Sequence, residues 1–578
     1  MTASVLPSSP AVFARATWED VVPYFDDLVE RPLNASTVDD WLSAWSRLEE
    51  LVTEAAAQAM IAYTIDTSDA EKEKDHLRFS TEILPRMEER SVELARRFVA
   101  LGHRTPALTT TLARFRTSIE IFREANVPIF SELEELSARY QRITGSMTVE
   151  FDGVERPLPQ LQPFLKSPDR AVRERAFRAA TQPYIEERGA LAGLFDRMYE
   201  LRQRAARNAG FANFRDYIFP AKFRFDYTPA DCERFHEAVE ATATPAVARV
   251  LEHRRRRLGL DVLRPWDLAV DPYRATPLRP FDTVDEFVGR ARRVFDRVDP
   301  VLGGQFQTMI DERLLDLDSR KGKAPGGYCE TLHFRGRPFI FMNAVGLVDD
   351  VMTLLHEAGH AFHAFASHRQ PLIWQRHPGS EAAELASMSM ELLASPHLAQ
   401  PTGYFTPEDH RRAWLEHLED VLLSLVHIAS VDAFQTWIYT SPDGGDAAAR
   451  DEAWLRIRNR FEGGVDWTGL ERERVARWYR QLHIFLYPFY YIEYGIAQIG
   501  ALQIWRNSLT DPAGAVASYR EALALGAVRS LPDMYRAAGA KFTFDAGPIG
   551  ELVRLVEEQI ERIRADLPSG SSQAARAP

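Results

Sequence analysis

Residues 349–360 read Asp349-Asp350-Val351-Met352-Thr353-Leu354-Leu355-His356-Glu357-Ala358-Gly359-His360, and the rest of the chain is read outward from them. Two acids, then an apolar helix-forming run, predict a helix whose first turn carries negative charge at the positive end of its dipole. On that helix His356 and His360 stand one turn apart on one face, where they can share a metal ion. Glu357 is one step round, placed to reach a metal-bound water rather than the metal.

A catalytic zinc site takes three protein ligands and leaves one position open. The long zincin pattern that continues to a third histidine needs Gly at 363 and His at 366, but the chain has His363 and Ala366, so that class is excluded. The remaining source is a glutamate on a following helix. Ser380-Glu381-Ala382-Ala383-Glu384-Leu385-Ala386-Ser387-Met388-Ser389-Met390-Glu391 offers Glu381, Glu384 and Glu391, and spacing alone does not choose between Glu381 and Glu384. Glu391 is two turns beyond Glu384, where it either orients a ligand or faces solvent. His363 and His368 read as packing or surface residues. Cys329 reads as a small buried side chain.

Around this centre the pattern is helical. Segments 44–60, 80–102, 110–142 and 168–208 carry apolar residues at three- and four-residue spacing. Ser167-Pro168-Asp169 reads as a helix start with Ser167 as the cap. Two short hairpins are expected, one turning at Asp152-Gly153 and one at Arg335-Gly336. The strand around Phe339 to Asn343 reads as an edge that an extended peptide could pair with, which makes Phe341 and Asn343 candidate substrate-binding residues.

Composition limits the partners. The 578 residues are 45% hydrophobic and 26% charged, and 83 acids against 70 bases give a net charge of −13. That sign argues against nucleic-acid binding, and the run Arg254 to Arg257 reads as a solvated helix surface. The N-terminus lacks a basic stretch followed by an apolar one, so no signal peptide is expected. No uncharged apolar run of about 18 residues predicts a membrane span; Tyr487 to Trp505 comes nearest and is interrupted by Glu493 and Gln498. Two cysteines fit a reducing cytoplasm. The expected divisions are a helical region 1–190, a catalytic region 191–568 and a flexible tail 569–578.

Downstream, His483-Ile484-Phe485-Leu486-Tyr487-Pro488-Phe489-Tyr490-Tyr491-Ile492-Glu493-Tyr494 holds one histidine and four tyrosines in twelve residues. Alone it reads as an aromatic core stretch. Beside a metal site it also offers neutral donors for an oxyanion.

His356 to His360 followed by Glu384-Leu385-Ala386-Ser387 resembles the thimet oligopeptidase and oligoendopeptidase F family of zinc peptidases, family M3. Gly322 to Cys329, Phe339 to Asn343, Ala206 to Phe211 and Arg264 to Asp267 are similar to the same family. The likeness implies Glu384 as the third ligand, 28 residues after His356, with one Zn²⁺ per chain. It implies that His483, Tyr491 and Tyr494 stabilise the transition state and that Tyr490 touches substrate, although the His-to-Tyr spacing departs from the family's. The fold it implies is mainly α: a two-lobed helical shell of the gluzincin type around a deep substrate channel, with a small β-sheet near the H-E-x-x-H helix. The activity it implies is a zinc endopeptidase cutting short unstructured peptides, with Glu357 as general base. A helical metallocarboxypeptidase and a non-catalytic peptide-binding shell are the alternatives.

Overall fold

A computed structural model describes residues 5–273, 278–320 and 322–567; the expected tail at 569–578 lies outside the described residues. The chain is mainly helical, with five short strands among the described residues. The periodic segments form helices at Val38–Ile65, Leu84–Leu101, Arg170–Glu186 and Arg188–Asn208. Segment 110–142 is two helices, Thr109–Ile121 and Val127–Gly145. The break coincides with Pro128 in the first turn of the second helix, where its missing N–H costs no bond. The start expected at Ser167 falls two residues later: Asp169 is the cap, its side chain accepting from Ala171 N–H at 2.8 Å.

Both hairpins form. β1 (Thr148–Phe151) pairs with β2 (Val154–Pro157) through Asp152-Gly153, both at positive φ. The second sheet contains β3 (Leu315–Asp318), β4 (Tyr328–Leu332) and β5 (Arg337–Ala344), in the spatial order β3-β5-β4. β5 therefore has a partner on each side, parallel β3 and antiparallel β4. The strand expected at the edge is the central one, because β3, which precedes the hairpin, pairs in parallel along its second side. The free edge next to the hairpin is β4.

The N-terminal helices bury a core of their own, including Phe13, Trp41, Trp45, Phe98 and Phe115, joined by Leu372 from the far half of the sequence. This unit is bonded to the sheet: Thr64 Oγ1 lies 2.6 Å from the Tyr328 hydroxyl, and Arg335 donates to Glu54 at 2.6 Å. The second, larger core runs through the remaining helices. One helix, Pro407–Thr440, is long and apolar enough to cross a membrane, but 72% of its apolar window is buried inside the protein, which is what a central core helix requires. The arginine run divides. Arg254 is buried, bonded to Val270 O and paired with Glu419 at 3.2 Å. Arg255 and Arg256 pair with Glu252 on their own helix. A helix turns 100° per residue, so adjacent arginines cannot share one environment.

Candidate active site

The helix Val348–Ser367 begins where Asp350 Oδ2 accepts the backbone N–H of Val345 and of Leu347, each at 2.8 Å. It carries His356, Glu357 and His360 against a second helix, Ser380–Ala394, which carries Glu384. Gly359 makes this contact possible. A Cβ there would lie 2.5 Å from Ser387 Cα and 2.6 Å from Ala386 O, so the two backbones touch only because residue 359 has no side chain. On the opposite flank Gly500 of the helix Tyr491–Ser508 plays the same part, its missing Cβ facing Leu385 and Tyr535 at 2.6 Å. Glu384 is thereby held between the two histidines and the tyrosines.

Glu384 Oε2 lies 3.3 Å from His356 Nε2 and 3.9 Å from His360 Nε2, and the imidazole centroids are 5.0 Å apart. One donor atom from each of the three residues falls within 4.8 Å of the others. Two imidazoles and a carboxylate are a donor set suited to Zn²⁺. The surroundings fix their orientation. Glu391 Oε1 takes His356 Nδ1 at 2.6 Å, which leaves Nε2 turned to Glu384. Ser387 donates to Glu384 Oε2 at 3.1 Å, and the Tyr490 hydroxyl donates to Oε1 at 2.7 Å.

Charge at this spot favours a cation. Burial opposes a charged His356, but Glu384 and Glu391 on either side raise its pKa well above the usual imidazole range. Burial would raise Glu384, yet the His356 bond and the His360 and His356 charges pull it down to about 2. The positive charge that these carboxylates stabilise on His356 is one that a metal dication can supply instead, so the residues fit the metal that their types imply. Glu357 is different. It is 8% exposed, and burial first, with Glu384 and Glu391 adding, pushes its carboxyl up to about 7 against the opposing pull of His356. Its charge also bears on the Cys329 thiol in β4. His356 and His360 are densely surrounded, yet 23% and 20% of their side chains remain open to solvent. That combination marks the wall of a cleft.

His483 faces the array, 5.2, 5.6 and 6.0 Å from the rings of Tyr491, Tyr490 and Tyr494. The three tyrosine hydroxyls have different surroundings. Tyr491 turns its hydroxyl away, donating to Gln481 at 2.8 Å. Tyr490, expected on substrate, bonds the ligand Glu384. Tyr494 feels the charge of both Glu384 and Glu357, and no described group accepts its hydroxyl. Phe341 and Asn343 are not at an edge. Phe341 is fully buried with its ring 4.8 Å from that of Tyr328, and Asn343 donates to Ala324 O and Gly326 O at 2.8 and 3.0 Å. The cause is the central position of β5.

Of the other candidates, Glu381 is drawn away from the histidines, accepting from the Tyr227 hydroxyl at 2.5 Å and facing Arg224 at 3.8 Å. His363 is buried in the helix packing, and burial takes its pKa down to about 3. His368 caps the helix end. Cys329 and Cys232 are free, and burial raises both thiols. The structure adds residues that the sequence reading did not assign: Arg224 donates to Phe489 O and to Glu493 at 2.7 Å, and Lys222 reaches Glu493 at 2.9 Å and the Tyr490 ring at 4.9 Å. Together they brace the turn before the tyrosines. No pattern in the sequence joins 222–224 to 489–493. Glu391 was visible as a same-face residue seven positions after Glu384, but only its bond to His356 separates ligand support from solvent exposure.

The Peptidase family M3 profile matches residues 164–551, and the Peptidase M3 N-terminal domain profile matches 9–122. The crystal structure of PZ peptidase A with an inhibitor superposes with a TM-score of 0.89 at 28% identity, covering 95% of this chain and 98% of that one. A protein assigned as an oligoendopeptidase F superposes at 0.88 and 29%, covering 95% and 97%. Oligopeptidase PepF of Bacillus subtilis (strain 168) is 23% identical over 411 residues, 69% of this chain; the alignment spans 58% of the Bacillus protein.

Proposed function

This chain belongs to peptidase family M3, a zinc metallopeptidase family, and from that premise we propose that it is a zinc oligoendopeptidase hydrolysing internal bonds of short unstructured peptides. The observation that carries the reading is the convergence of His356, His360 and Glu384, with Glu357 beside them on the helix of the two histidines, which are still partly open to solvent.

One Zn²⁺ held by His356, His360 and Glu384 would polarise the scissile carbonyl and lower the pKa of water. Glu357, buried beside the three donors, takes a proton from the attacking water and returns it to the leaving amine. Tyr494, its hydroxyl unclaimed, and His483 donate to the carbonyl oxygen as it becomes negative. Tyr490 and Glu391 hold Glu384 and His356 in place. An extended peptide pairs with β4, an outer strand of the sheet that packs against the His356 helix. Two free cysteines support placing the enzyme in a reducing cytoplasm.

The test is a length series of internally quenched peptides, blocked at both ends, assayed with and without a zinc chelator. Internal cleavage that stops with chelator, returns with zinc and fades for long substrates is the expected result; cleavage indifferent to chelator overturns it. The tyrosines separate in the same assay. Tyr494→Phe should lower kcat by about 10²–10³-fold with KM little changed, as for a lost oxyanion donor. Tyr490→Phe should instead weaken zinc retention by about tenfold or more, read by competition with a chromophoric chelator. The reverse pattern would exchange their roles.

A further inference from the structure

Next to the tyrosines, Phe223 stands in left-handed backbone, φ 55°, just past the end of the helix Phe214–Ala221. Its N–H and that of Arg224 bond back to Pro220 O and Phe219 O at 2.9 and 3.0 Å, a closure that glycine completes without strain. A side chain is strained in that conformation, so the turn itself does not account for the ring. Phe225, two residues on, is 44% exposed, its ring 6.1 Å from that of Phe223. Lys222 and Arg224, on either side of Phe223, contact Tyr490 and Phe489, so the segment borders the catalytic array.

Over Phe223 lies Arg114 of the helix Thr109–Ile121, its Cζ 5.4 Å from the ring centroid. Nη1 donates to the carbonyls of His377 at 2.5 Å and Trp374 at 3.4 Å; Nε is buried without a partner. Among the described residues no carboxylate pairs with this guanidinium. Glu381, whose charge reaches it, is engaged by Tyr227 and Arg224. Arg376, the other guanidinium acting on His377, is already paired with Glu50 at 3.0 Å. Burial draws Arg114 down to about 10. A half-buried planar cation with an aromatic face beneath it and no carboxylate partner matches a carboxylate anion.

We propose that Arg114, seated over Phe223, forms a subsite that receives a carboxylate of the bound peptide, either its C-terminal group or an acidic side chain. The proposal rests on the peptidase reading above, and its test is separable from it. Two matched peptide sets distinguish the sources: free C-terminal acid against amide, and a Glu-for-Gln exchange moved stepwise along the sequence. Each set is assayed for KM and kcat with zinc-loaded wild type, Arg114→Gln and Arg114→Lys. The same peptides, fluorescently labelled, are bound to Glu357→Gln and its Arg114→Gln double variant by anisotropy. One set should show a carboxylate preference of about tenfold or more in KM and Kd, the size of a charge-assisted bond. The preference should fall to about one in Arg114→Gln and recover in part in Arg114→Lys. If both sets are treated alike by the wild type, or the preference survives in Arg114→Gln, Arg114 is a strut for the Trp374–His377 turn and the proposal is wrong. Carboxylate-dependent binding without cleavage would sustain the subsite and remove the peptidase reading instead.

Discussion

Replacing Glu357 by Gln should leave one zinc per chain and cut kcat by about 10²–10⁴-fold, the range of a lost general base. The amide has the shape of the carboxyl but cannot accept the proton, and Glu357 is not among the three donors that converge on one another. Steady-state cleavage of a blocked peptide beside metal analysis checks both halves. A variant within tenfold of the wild type would remove Glu357 from the reaction, and one that lost zinc would make it a ligand. A second readout does not depend on turnover. In the metal-free protein the carboxyl protonates near pH 7, above its range in the unfolded chain, so the folded state binds the proton more tightly and its stabilising effect is present at low pH. That contribution is lost as pH rises through about 7. Metal-free wild type should therefore lose thermal stability relative to Glu357→Gln across that interval.

The second large effect is expected from a single methyl group. Gly359→Ala places a Cβ against Ser387 Cα and Ala386 O, backbone atoms that cannot swing aside as a side-chain end could. The two helices must separate by about 1 Å to regain ordinary contact. Such overpacking typically costs about 1–3 kcal/mol. The functional cost is larger, because His356 and His360 ride on one helix and Glu384 on the other, and metal coordination tolerates displacements of only about 0.2 Å. Zinc affinity should fall at least about tenfold and kcat with it, while circular dichroism keeps its helical signature. Zinc titration and thermal unfolding with and without metal test this. A variant with unaltered affinity would show that the close approach is not what sets the ligand geometry.

Much of the architecture followed from local rules. Apolar residues at helical spacing around His356 and His360, and turn residues at Asp152-Gly153 and Arg335-Gly336, act over a few positions. Their consequences could be stated before any long-range contact was known. The same holds for two histidines four apart sharing a helical face, which is a matter of 100° per residue. The misreadings have a common origin. Phe341 and Asn343 were assigned to an edge because hairpin pairing is visible between neighbours, whereas the parallel partner β3 pairs across an intervening loop and β4. Arg254 was assigned to solvent because nothing near it in sequence announces Glu419.

Local sequence pattern was enough for most core helices and for the expectation of two histidine donors with a base beside them; family likeness added Glu384 as the expected third donor. Tertiary structure decided the rest. It turned Glu384 to the histidines and Glu381 to Arg224, gave Tyr490 to the ligand and left Tyr494 unclaimed, and set Arg114 over Phe223 without a counter-charge. Those outcomes join side chains from separate helices, 24 to 157 residues apart, for which hydrogen-bond partners and charges are chosen only when helices have packed. Their spacing along the chain carries no trace of that choice.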